Sequence, residues 1–240
     1  MKLILFSILL IPMLAFSQSE GAKWNYPVKP GSKVWKSLKN NAEKVQNCQI
    51  PSDVLATMNT RDLLKVCLNY PLLPDIFAFN NIKDGFTKFE NDFNGFQELL
   101  KRDDAPDELL KKYKSIEPSA IPASGTILEK GNYVLSMSFV ELFISHPLII
   151  KKINTNSKKE IIKELLLKKG KKKNQPDWYQ TTGIQTNYLA ITSIVRSDSD
   201  KFKSELDMTK VSPYIYSGVL TTPEILNQID QVTNKYLKNN

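Results

Sequence analysis

His146 is the single imidazole of this 240-residue chain, so any histidine-based acid or base must be this residue. It sits between Ser145 and Pro147 with apolar residues on both sides, which predicts a partly buried histidine capping a helix end. Ser136, Ser138 and Ser145 are the hydroxyls that could be drawn near it, and none follows a nucleophile-elbow motif. Carboxylates offer a second route to hydrolysis. Asp75, Glu90, Asp92 and Glu141 lie nearest to apolar stretches, and a glycosidase needs only two such groups at the right separation. No pair has diagnostic spacing. No catalytic residue is assigned, and a carboxylate-dependent glycan hydrolase stands as the alternative to a non-catalytic protein.

Metal and cofactor chemistry finds little support. Glu90-Asn91-Asp92-Phe93-Asn94-Gly95 imitates the start of a calcium loop, but position one is glutamate and Lys101 stands where position twelve needs a carboxylate. One histidine and two cysteines exclude most zinc sites, and phosphate-binding glycine loops are absent. No cofactor or metal is expected. Cys48 and Cys67 admit two readings, a disulfide if the chain is exported or two buried free thiols.

Charge is the strongest compositional signal. The chain carries +8, and from Lys151 to Lys173 ten lysines face two acids, which is also +8. Without Lys2 in a cleaved leader the total is +7, so everything outside that run sums to −1. One reading is a solvated helix end; the sharper one is a docking patch of Lys168, Lys169, Lys171, Lys172 and Lys173. Arginine is missing from the run, which argues against bidentate phosphate recognition and so against nucleic acid. An anionic glycan, a lipid headgroup or an envelope protein is the expected counter-charge.

The elements that would position these groups are helices. Met1 to Ser17 reads as a signal peptide, with Lys2, an apolar run from Leu3 to Phe16, and small residues Ala15 and Ser17 before a cut ahead of Gln18. The run is shorter than the ~20 residues of a spanning helix, so the mature chain is expected to be exported and soluble, periplasmic or extracellular. Residues 18–32 form an extended lead-in, 33–116 an N-terminal helical half, 117–131 an irregular connector and 132–240 a C-terminal half. Ser52 and Thr60 are placed as N-caps, Ser157 with Glu160 as a capping box, and Gly95 and Gly170 as helix stops. Ile225, Ile229, Val232 and Tyr236 mark the apolar face of a last helix opening at Thr222 and Pro223. Residues 211–220 read as a short strand or turn. The whole is all-α, about ten short helices in paired packing. Leu68 to Leu73 echoes Ile144 to Ile149 around Pro71 and Pro147, as a helical repeat would.

Gln49-Ile50-Pro51, Cys67-Leu68-Asn69-Tyr70-Pro71, Asn80-Asn81-Ile82 with Gly85-Phe86, and Phe93-Asn94-Gly95-Phe96 leading to Glu98-Leu99-Leu100-Lys101-Arg102 together resemble a family of uncharacterised secreted bacterial helical proteins with no known activity. Tyr26-Pro27-Val28-Lys29-Pro30-Gly31 resembles the usual lead-in to that block. Gln175-Pro176-Asp177 and Gly183-Ile184-Gln185-Thr186 match more weakly, with Gln180-Thr181-Thr182 in place of a glycine-rich stretch. The resemblance implies an all-helical export product and supplies no reaction. The expected function is a non-catalytic binding or envelope-interaction module.

Overall fold

A computed structural model describes residues 23–198, 205–219 and 224–239. The expected leader, residues 1–17, lies outside the described residues, as do Thr222 and Pro223. The fold is all-α, 74% helical, with no strand among the described residues. In chain order the helices are α1 (Lys33–Ser37), α2 (Asn41–Asn47), α3 (Ser52–Thr57), α4 (Thr60–Leu68), a 3₁₀ segment (Leu73–Ala78), α5 (Ile82–Asp92), α6 (Asn94–Lys101), α7 (Ala105–Ser115), α8 (Ile127–Ile144), α9 (Pro147–Ile150), α10 (Thr155–Lys173), α11 (Pro176–Asp198), α12 (Met208–Ser217) and α13 (Glu224–Asn239).

Short polar side chains set most helix starts. Asn40, Asn59, Asn81 and Asn154 each accept the backbone N–H three residues on, and Thr126 with Glu129 forms a full capping box. These caps correct several expected boundaries. Asn59, not Thr60, caps α4, and Asn154 opens α10 before Ser157 and Glu160. Thr126 starts α8 inside the stretch expected as connector. Gly170 does not stop α10, which runs on to Lys173. Residues 211–217, expected as strand or turn, are helix: Asp207 caps α12, Pro213 is accommodated inside it, and Gly218 ends it at φ 75°.

Gly95 is present for a different reason than the stop expected of it. It lies in the first turn of α6, where a Cβ would stand 2.5 Å from the Phe93 ring and 3.0 Å from Ile50. The neighbouring Asn94 side chain accepts from Ile50 N at 3.1 Å and donates to Ile50 O at 2.8 Å, while Gln49 donates to Asp92 O and accepts from Asn94 N. The Gln49-Ile50 and Phe93-Asn94-Gly95-Phe96 motifs are thus two sides of one clamp.

Packing follows the periodicity. Leu63, Leu64 and Cys67 of α4, Phe96, Leu99 and Leu100 of α6, and Leu109 and Tyr113 of α7 bury one face each. Ile225, Ile229, Val232 and Tyr236 of α13 are buried as their spacing predicts. Phe143 of α8 meets Phe86 and Phe96 edge-on, at 5.0 and 4.8 Å between ring centres, so one continuous core joins the two halves. α11 is the axis of the C-terminal half: it packs against α8, α9, α10, α12 and α13, and buries the run Tyr188 to Thr192 without interruption.

Cations tie helix ends to neighbouring elements. The last carbonyls of a helix have no intrahelical donor and carry the negative end of its dipole. Arg102 donates to Leu55 O and Met58 O at the end of α3, and Lys152 to Leu100 O and Arg102 O at the end of α6. Lys168 donates to Lys114 O and Ile116 O at the end of α7, and Lys83 to Ile215 O near the end of α12.

Candidate functional site

The structure takes the expected lysine patch apart. Lys168, Lys169 and Lys172 are buried, at 2%, 7% and 0% exposure. On α10 they continue the stripe of Ile161, Ile162 and Leu165 at helical spacing, so the core face of this helix ends in lysines whose stems pack and whose ammonium groups find partners inside. Lys168 caps α7, and Lys169 pairs with Asp230 and lies over the Tyr188 ring at 4.4 Å. Lys171 meets Glu117 at 2.7 Å and is partly exposed; Lys173 alone of the five is exposed. A five-lysine docking surface is therefore not present.

Lys172 defines the most deeply buried polar cluster. Its ammonium donates to Glu141 Oε1 and Oε2 at 2.7 and 2.8 Å and to Gly183 O at 2.8 Å, and both side chains of the pair are wholly shielded from solvent. Glu141 also accepts from Tyr113 (2.5 Å), Thr186 (2.6 Å) and Asn187 Nδ2 (3.1 Å). Asn187 Nδ2 reaches Leu165 O as well, while its Oδ1 has no partner among the described residues. Burial pulls the Lys172 pKa below the usual lysine range, with Glu141 opposing; burial and then the Glu141 charge push the Tyr113 hydroxyl up. The helical spacing of Ile161, Leu165, Lys168 and Lys172 could have marked those lysines as core-facing, and Glu141 as the one acid inside the apolar body of α8, but nothing in the sequence pairs the two.

The other candidates stay apart. His146 caps α9, its Nδ1 accepting from Leu148 N at 3.2 Å and its Nε2 3.2 Å from Glu90. Ser136 and Ser145 donate to carbonyls of their own helix, three residues back. Asp92 pairs with Lys88 and Asp75 is exposed, so the four carboxylates that flank apolar stretches do not meet. Among the described residues no three ligating side chains gather for a metal ion. Cys48 and Cys67 are both free and buried, and burial raises the Cys48 thiol to about 11.

A cleft of about 210 Å³ opens beside the buried pair. Val134, Leu135 and Ser138 of α8 form one wall, Trp178, Tyr179 and Gly183 of α11 the other, and Phe77 of the 3₁₀ segment closes one side. Tyr179 is shared: its ring lines the cleft and lies 5.5 Å from the Lys172 ammonium. Beside Trp178 of that wall, Lys130 stands 6.0 Å from the ring centre, with no carboxylate at ion-pair distance among the described residues. Leu128, on the helical face of Leu135, is 69% exposed. A second, smaller groove of about 130 Å³ includes Asp103 and Asp107, but both are exposed and Asp103 is fully solvated. No helix of the described residues is long and apolar enough to cross a membrane. No family model, curated protein or solved structure matches this chain.

Proposed function

We propose that this protein is an exported, non-catalytic binding module whose ligand enters the cleft between α8 and α11. The observation that carries this reading is the chemistry of the walls: aliphatic and aromatic side chains, with hydroxyls only on Ser138 and Tyr179 and no carboxylate. A glycan hydrolase would need two acids converging on a cavity, and the one fully buried acid among the described residues, Glu141, is already saturated by Lys172, Tyr113, Thr186 and Asn187.

The volume narrows the occupant. Sites for drug-sized ligands begin near ~300 Å³, so this one admits a single ring or the end of an alkyl chain. Lys130 adds a positive charge beside the aromatic wall. The ligand is an amphiphile, with an apolar end between Leu135 and Trp178 and an anionic end at Lys130. An envelope lipid or its acid fragment has this chemistry, in keeping with the apolar leader-like run Leu3 to Phe16.

Octanoate and its uncharged alcohol are suitable probes, titrated into the purified chain and followed by NMR. The expected result is saturable shifts at Trp178 and Leu135, weaker for the alcohol, and abolished in Leu135→Trp, which fills the cleft. Binding that persists unchanged in Leu135→Trp, or no binding to the wild type, would overturn the reading.

A further inference from the structure

We propose that Lys172 and Asn187 become joined by an intramolecular amide bond, with Glu141 as the proton carrier. Three conditions govern attack of a lysine amine on a side-chain amide: the amine must lose its charge, an acid must bridge nucleophile and electrophile, and the two must be held together. All three reside in this cluster. Lys172, Glu141 and Asn187 are each at 0% exposure. A buried ammonium–carboxylate pair relieves the cost of charge in a dry interior by passing its proton from nitrogen to oxygen, and burial lowers the Lys172 pKa in that direction. Glu141 Oε1 touches both partners, Lys172 Nζ at 2.7 Å and Asn187 Nδ2 at 3.1 Å, so the two nitrogens stand within about 6 Å of each other on one shared oxygen. Asn187 Nδ2 is held by Glu141 Oε1 and Leu165 O, while its carbonyl oxygen is buried without a partner among the described residues and so is open to receive a proton.

The reaction balances without any co-reactant. Proton transfer gives a neutral Lys172 amine and a protonated Glu141. The amine lone pair forms the new bond to Asn187 Cγ, and Glu141 protonates the carbonyl oxygen in the same movement. Glu141 then takes a proton from the former lysine nitrogen and delivers it to Nδ2. The C–Nδ2 bond breaks, its electron pair leaves with nitrogen, and the oxygen gives its proton back to Glu141 as it returns to a carbonyl. Ammonia is released; the proton first taken from Lys172 stays on Glu141 or departs with the ammonia as ammonium. Gly183, whose carbonyl touches Lys172, also lines the α8–α11 cleft, which gives the small product a way out. The product ties α10 to α11 across the centre of the C-terminal half.

Intact-mass measurement and a tryptic map of the purified full chain decide the matter. The expected result is a chain one ammonia lighter, with Lys172 uncleaved by trypsin and found in one branched peptide with Asn187. Lys172→Arg keeps the cation, and circular dichroism establishes its fold; it should show the full mass, as should Glu141→Gln. A folded wild type at full mass after prolonged incubation would overturn the proposal. So would an ammonia loss that maps elsewhere, with Lys172 and Asn187 in separate linear peptides.

Discussion

Removing either partner of the Lys172–Glu141 pair should destabilise the protein, and by unequal amounts. Glu141→Leu leaves Lys172 with only Gly183 O and strips Tyr113, Thr186 and Asn187 Nδ2 of their shared acceptor. Breaking a buried pair from one side costs about 3–5 kcal/mol, and that side also strands the Tyr113 hydroxyl at about 1 kcal/mol or more, while Asn187 Nδ2 keeps Leu165 O. Lys172→Met leaves a carboxylate that still accepts three hydrogen bonds, so its cost should fall below that of Glu141→Leu by about 1–2 kcal/mol. Against a total stability of about 5–15 kcal/mol, both are measurable. Urea unfolding with linear extrapolation is the assay. Neither variant can form the Lys172–Asn187 bond, so their comparison is free of it. Equal costs, or a costlier Lys172→Met, would refute the view that Glu141 is the hub of the cluster.

Gly170 sits inside α10 facing open space, so Gly170→Ala should raise stability by about 0.5–1 kcal/mol, seen as a rise in Tm of roughly 1–4 °C. Lys171→Gln with Lys173→Gln should change stability by less than about 0.5 kcal/mol, whereas Lys168→Gln should cost about 1–3 kcal/mol by loosening the end of α7. Burial depresses the His146 pKa, against the opposing pull of Glu90 and aided by Lys83. Its neutral form is thus favoured in the fold, the stability it confers is present above the unfolded value near ~6.5, and it is lost as pH falls through the lower folded value. Melting curves at stepped pH should show that loss in the wild type and a shallower one in His146→Gln.

Much of the fold was legible because apolar spacing dominates it: the faces of α4, α6 and α13 read directly from their residues. Boundaries were harder wherever two capping residues compete. Asn59 precedes Thr60 and Asn154 precedes Ser157, and the asparagine takes the position in both cases. Val211, Pro213 and Ile215 alternate like a strand, yet Asp207 starts a helix that tolerates the proline. The candidate site failed for a physical reason. A lysine reads as surface because its charge seeks water, but its four-carbon stem can extend an apolar stripe, and only the tertiary partner reveals where the ammonium ends. Lys172 and Glu141 lie 31 residues apart, and neither residue announces the other without the packing of α8, α10 and α11.

The place of α11 in the sequence sets a timetable for the molecule. The helix that α8 and α10 pack against is completed only at Asp198, so a chain emerging end-first holds Val134 to Ile144 for some time without the cover they later share. The N-terminal half faces the same delay, since Phe86 and Phe96 settle against Phe143 of that waiting helix. During vectorial synthesis the apolar face of α8 therefore stays without its main packing partner until α11 has been made, which is the interval in which its exposed surface invites aggregation.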